Sequence, residues 1–211
     1  MENLNRFYDK IPGSYIAYIG FIFSVIFIST AVILYGDPTF SIFTHYLSDL
    51  GAAARNSSLV FNIGMIISAP IRVLFGFYLL QFLKSKGANE KTVKMTTYTI
   101  VIGAIGSVIL ALFPYDVLLT MHMLGAFVYF FSVIIIQISI SKMELIAENM
   151  PKYLPIIGLI VVMNYVLFLG FEISEIISEI FRFLACFFEW MSYFSLMAWL
   201  VLHGYYIHRV N

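Results

Sequence analysis

Cysteine is nearly absent: Cys186 is the only one in 211 residues, so no disulfide framework holds this chain. Charge is scarce. Asp, Glu, Lys and Arg make up 11% of the residues, against roughly 25% in a soluble domain. The 12 basic residues balance 12 acidic ones and form no basic stripe, which argues against a nucleic-acid surface. Low-complexity tracts and internal repeats are missing too. What is present is apolar: 61% hydrophobic residues, including 21 Phe, and a mean hydropathy of +0.93. That content excludes disorder, and a soluble fold of this size could not hide it. An all-α polytopic membrane protein remains.

A helix crosses a bilayer core of ~30 Å with about 20 apolar residues. Six stretches qualify, at about 15–35, 58–83, 95–113, 118–141, 153–171 and 183–206. They are too long for barrel strands, and they predict one membrane domain over residues 1–211, a six-transmembrane-helix bundle. Arg6 and Lys10 precede the first stretch as in a signal peptide. Its apolar run exceeds the roughly 7–15 residues of a signal core, however, and no cleavage site follows, so it reads as an uncleaved helix.

Basic residues in the short connections set the orientation. One side carries nine, Arg6, Lys10, Lys84, Lys86, Lys91, Lys94, Lys142, Lys152 and Arg209, and the other carries two, Arg55 and Arg182. Both termini are therefore expected in the cytoplasm, and the membrane is expected to be the cell's plasma membrane.

The first outer connection reads GDPTFSIFTHYLSDLG over residues 36–51. Asp37 suits a helix N-cap, Pro38 a first helical position and Gly51 a C′ position. Phe40, Phe43, Leu47 and Leu50 recur at spacings of three and four. The pattern predicts a short amphipathic interfacial helix over Asp37–Leu50 lying across the outer mouth of the bundle. On such a helix His45 and Asp49 would be neighbours, with Ser48 beside them. A pair of that kind can hold a metal, orient a proton-transfer imidazole, or stand solvated at the membrane surface.

Further polar residues interrupt the spans. Arg55 and Asn56 precede the second, and Asn62 lies one turn inside it. Asn56 opens a glycosylation sequon so close to the membrane that a capping role fits it better. Arg72 follows Pro70 at a depth of ~20 Å by helical rise. It is read either as a donor to carbonyls freed by the proline or as a counter-ion. Asp116 suits the N-cap of the fourth span, and His122 follows in its second turn. Glu189 enters the sixth span about two turns from the outer end, followed by Trp190. An ionised carboxylate there must be paired or face a wet cavity, and His122, Asn62, Arg55 or Arg72 are its expected donors. His203 and His208 read as interfacial residues at the inner end, and Glu172, Glu175 and Glu179 as a solvated acidic rim. Collected at one depth, these polar groups predict an outward-opening pocket in the outer leaflet. Its expected members are His45, Ser48, Asp49, Arg55, Asn56, Asn62, Arg72, His122, Glu189 and Trp190.

HYLSDLGA over His45–Ala52, Asn56 and FNIGMIIS over Phe61–Ser68 resemble domain-of-unknown-function family 998, six-helix membrane proteins. FP at Phe113–Pro114, HxxGAF at His122–Phe127 and EW at Glu189–Trp190 fit the same family in order and spacing. That family is distantly similar to the Frag/DRAM/Sfk membrane proteins, which implies lipid handling. A second resemblance, to seven-helix hydrolases of the ceramidase type, rests on His45, Ser48, Asp49 and His122. The chain departs from that pattern in lacking HxxxH on its last helix and in having one span fewer.

Three functions follow as expectations. The pocket holds a lipid head group, with Arg55 or Arg72 against phosphate and Asn56, Asn62 and His122 as donors. Alternatively, His45, Asp49 and His122 bind zinc, and Glu189 acts on the bound water of an intramembrane lipid hydrolase. Under that reading Glu189 and His122 are the catalytic candidates. The third is a proton-coupled transporter or channel with Glu189, Arg72 and His122 as relay. The expected partners are membrane lipids, not nucleic acid.

Overall fold

The computed structural model describes residues 2–210; residues 1 and 211, the ends of the expected domain, lie outside them. A short helix, α1 (Glu2–Lys10), precedes six long ones: α2 (Gly13–Tyr35), α3 (Ser58–Ser85), α4 (Glu90–Leu112), α5 (Leu119–Ile146), α6 (Tyr153–Glu175) and α7 (Arg182–Val210). No strand occurs among the described residues. All six long helices are apolar and long enough to cross a membrane. The expected spans coincide with them, with ends that differ by a few residues, as is usual for helix boundaries.

Each long helix packs on its neighbour in sequence, and α2 also packs on α7. The six therefore close into a ring. One end carries the 36–57 and 113–118 connections (the loop end), and the other carries the chain termini (the terminal end). Membrane helices approach closely where residues are small. Between α4 and α5 a Cβ at Gly125 would lie 2.6 Å from the backbone nitrogen of Leu110, and one at Gly106 would lie 2.7 Å from that of Tyr129. Between α2 and α7 a Cβ at Gly204 would lie 2.8 Å from that of Ala17. The interior is filled by a cluster that includes Phe75, Leu79, Leu83, Ile140 and Trp199.

A short amphipathic helix exists, but at the end opposite to the expected one. In α1 the Tyr8 hydroxyl donates to the Leu74 carbonyl at 2.8 Å, and its ring meets Tyr78 edge-on. The expected outer helix over Asp37–Leu50 is not formed. Gly36, at φ 73°, ends α2, and the chain then runs through turns to a single 3₁₀ turn at Ser48–Gly51. The reason is tertiary competition for the backbone. Amides that a helix would use internally are taken by side chains: Tyr46 N–H by Asp49 at 2.9 Å, and Leu47 N–H by Glu189 at 2.6 Å. The carbonyls of Leu50 and Gly51 are taken by Ser57 at 2.7 Å and Asn62 at 2.9 Å. Asp37 caps only its own turn, accepting from Thr39 N–H at 2.9 Å. Gly51 is needed for close approach, since a Cβ there would lie 2.7 Å from Asn62 Oδ1.

Candidate functional site

At the loop end a cavity of about 470 Å³ lies between α5, α6 and the first connection. Its polar end is built from Tyr46, Ser48, Asp49, Tyr115, His122, Glu172, Arg182 and Glu189. Its flank is apolar, with Met123, Phe127 and Phe131 of α5 and Leu169 and Ile173 of α6. Met123, Phe127 and Ile173 are 51%, 59% and 64% exposed, so the cavity reaches the outside of the helix ring between α5 and α6.

Local chemistry holds the polar end in shape. Glu189, 7% exposed, projects from α7. Its donor is none of the expected side chains but the backbone N–H of Leu47, so a carboxylate of the last helix anchors the first loop. One residue on, the Trp190 indole donates to the His45 carbonyl at 3.0 Å. Asp116 does not cap α5. It accepts from the N–H groups of Ala53 and Ala54 at 2.9 and 3.0 Å, strapping the two connections together. Burial disfavours its charge, but these two amides outweigh burial and hold the carboxyl below the usual aspartate range. The Tyr46 hydroxyl donates to Glu175, and the Arg182 guanidinium donates to the same carboxylate at 3.0 Å and lies 4.9 Å over the Tyr46 ring. Burial first, then the Glu175 and Glu172 carboxylates, push the Tyr46 phenol far up, so it stays a donor. Burial and Asp49 push the Tyr115 phenol up to about 12.

Of the residues expected in the pocket, Ser48, Asp49, His122 and Glu189 line this cavity. The others stand outside it. The His45 ring stacks on Phe40 and is hydrogen-bonded to the Thr44 hydroxyl at 2.9 Å. Arg55 lies over the Tyr35 ring and 3.8 Å from Asp37. Asn56 is exposed, Asn62 is bonded to the Gly51 carbonyl, and Trp190 packs in a separate core cluster. Arg72 is deeper in the ring. It donates to the hydroxyls of Ser68 and Ser107 at 2.7 and 2.9 Å, in place of the expected proline-freed carbonyls or a carboxylate. The zinc arrangement is not assembled: His45, Asp49 and His122 form no metal-holding group, and no such group of three His, Cys, Asp or Glu occurs among the described residues. Neither histidine is bonded to Ser48; His122 Nδ1 is 3.0 Å from the Phe113 carbonyl.

Sequence reasoning missed Tyr46, Tyr115, Glu172 and Arg182 as cavity residues. Tyr46 sits inside the HYLSDLGA motif and Tyr115 directly follows the FP motif, so place within or beside a motif was their only signal. Glu172 and Arg182 lie at the ends of α6 and α7, where a charge reads as solvated.

The family described as "Protein of unknown function (DUF998)" has a model that matches residues 18–206. The match does not test the expected link to the Frag/DRAM/Sfk proteins. No curated protein and no solved structure matches the chain.

Proposed function

The chain belongs to the DUF998 family and is an integral, multi-pass membrane protein, and we propose that it binds a membrane lipid in the cavity between α5 and α6. One observation carries the reading: the cavity is an amphiphile in negative, with hydrogen-bonding groups gathered at one end and an apolar flank reaching the helix-ring surface. A lipid head group would sit against Asp49, Glu172 and Glu189, and its chains would leave sideways between Met123, Phe127 and Ile173 without crossing water. The volume of about 470 Å³ suits a head group and the first part of its chains. The nine-to-two division of basic residues supports cytoplasmic termini, hence a site in the outer leaflet of the plasma membrane.

Native mass spectrometry of the detergent-purified chain tests this. Retained lipid is expected, and Ala126→Phe is expected to displace it, because Ala126 lines the cavity and is otherwise packed. A variant that folds, fills the cavity and still carries lipid at the parent's occupancy would overturn the reading.

A further inference from the structure

The polar end of the cavity is ill-suited to phosphate. Arg55 is held outside by Asp37 and Tyr35, and Arg72 is held deeper by Ser68 and Ser107. Arg182 is the guanidinium on the cavity wall, and it is already engaged by Glu175 and the Tyr46 ring. Facing it are three carboxylates, Asp49, Glu172 and Glu189. A phosphate brings only acceptors and negative charge to a site with three carboxylates and one guanidinium that is already paired. A primary ammonium brings three donors and no acceptor.

Two observations independent of the charge count agree. Among the described residues five side-chain polar atoms are buried without a hydrogen-bond partner, and of these Glu172 Oε2 alone belongs to a residue lining this cavity, an acceptor without a donor on a half-buried side chain. The cavity is also lined by the aromatic residues Tyr115, Phe130 and Phe168, and ring faces attract a cation. Rings alone would serve a quaternary ammonium equally well. Buried carboxylates that need N–H donors would not, because trimethylammonium has none.

We infer that the cavity selects amphiphiles with a primary ammonium head group, over phosphate and over choline, with Glu172 and Glu189 as the groups that receive the N–H donors. The inference rests on the lipid-binding reading and adds the chemistry of the head group to it.

The test uses the full chain in uncharged maltoside micelles, with dodecylamine, dodecyltrimethylammonium, dodecyl phosphate and tailless ethanolamine as probes. Thermal stability and native mass spectrometry are the readouts. Dodecylamine is expected to bind tightest, to weaken roughly tenfold in Glu172→Gln, where a charge-assisted bond becomes a neutral one, and to be lost in Ala126→Phe. Glu189→Gln supplies the same comparison should Glu172→Gln fail to fold. Phosphatidylethanolamine is expected to compete with dodecylamine. Tighter binding of dodecyl phosphate or of the quaternary ammonium, abolished by Ala126→Phe, would overturn the ammonium class and leave the lipid cavity standing. Ethanolamine binding as tightly as dodecylamine would overturn the lipid and keep the ammonium. Binding insensitive to Ala126→Phe for every probe would overturn both.

Discussion

Two glutamates are buried in the helix ring, one toward each end, and each is held through one carboxylate oxygen by a different kind of donor. Glu144 of α5, at the terminal end, is held by a side chain of another span: His203 Nε2 lies 2.6 Å from its Oε1, and His203 Nδ1 lies 2.7 Å from the Trp199 carbonyl. Both side chains are fully enclosed, at 0% and 1% exposure. Glu189 of α7, at the loop end, has a loop amide as its donor and a cavity on its other side. The difference separates two uses of a costly group. A carboxylate matched to a side chain on the next span fastens helices together. One matched to a loop amide, with space beside it, is available to something that is not part of the protein.

The largest effect is expected from breaking the fastening. Glu144→Leu strands His203 without its partner and should cost about 3–5 kcal/mol in a detergent unfolding titration, with Glu144→Leu/His203→Leu recovering much of it. Equal stability of Glu144→Leu and parent would make the two glutamates equivalent and end the comparison. Glu189→Leu should cost less, about 1–3 kcal/mol, because it leaves the N–H of half-buried Leu47 without its acceptor. Its second signature is increased amide exchange in the 44–50 loop, which Glu144→Leu should not show. A smaller effect belongs to Asp116. Its carboxyl is held low by the Ala53 and Ala54 amides, so its contribution is present above the ordinary aspartate pKa of ~3.9 and is lost as the pH falls through the depressed value. The residue is exposed, so the loss should stay under about 1 kcal/mol. Melting curves followed from about pH 5 down to about pH 2 should show a drop that Asp116→Asn lacks. The smallest effect is expected from Arg55→Ala, which removes an exposed ion pair outside the cavity. Neither melting temperature nor lipid occupancy should change, and lost lipid would return Arg55 to the site.

The helices were legible from the amino-acid order because one requirement, apolar length, dominates in a bilayer. The loop Asp37–Leu50 was not, although Asp37, Pro38 and Gly51 agree with a helix locally. Glu189, 142 positions away in sequence, claims the Leu47 amide, and no local pattern reports that. Glu189 itself stood out, because an acid deep in an apolar run is a visible exception. Glu144 and His203 did not, because each lies near a span end where a polar residue reads as interfacial. Their 59-residue separation appears as contact only once α5 and α7 are folded together. Tyr46, Glu172 and Arg182 were hidden for the same reason: each is unremarkable on its own element and gains meaning from the neighbours the ring supplies.

The closure of α2 on α7 also orders events in time. The first of these six spans is completed by the sixth. Until α7 arrives, the small face of α2 around Ala17, which receives Gly204, lacks its cover, and Leu47 has no Glu189 to bond. The cavity wall that carries Glu189 is therefore laid down after the other five spans, and a chain stalled before residue 182 holds five long helices and an unfastened loop but lacks Arg182 and Glu189. Synthesis from the N-terminus thus withholds the polar chamber from the bilayer until the whole enclosure is available to shield it.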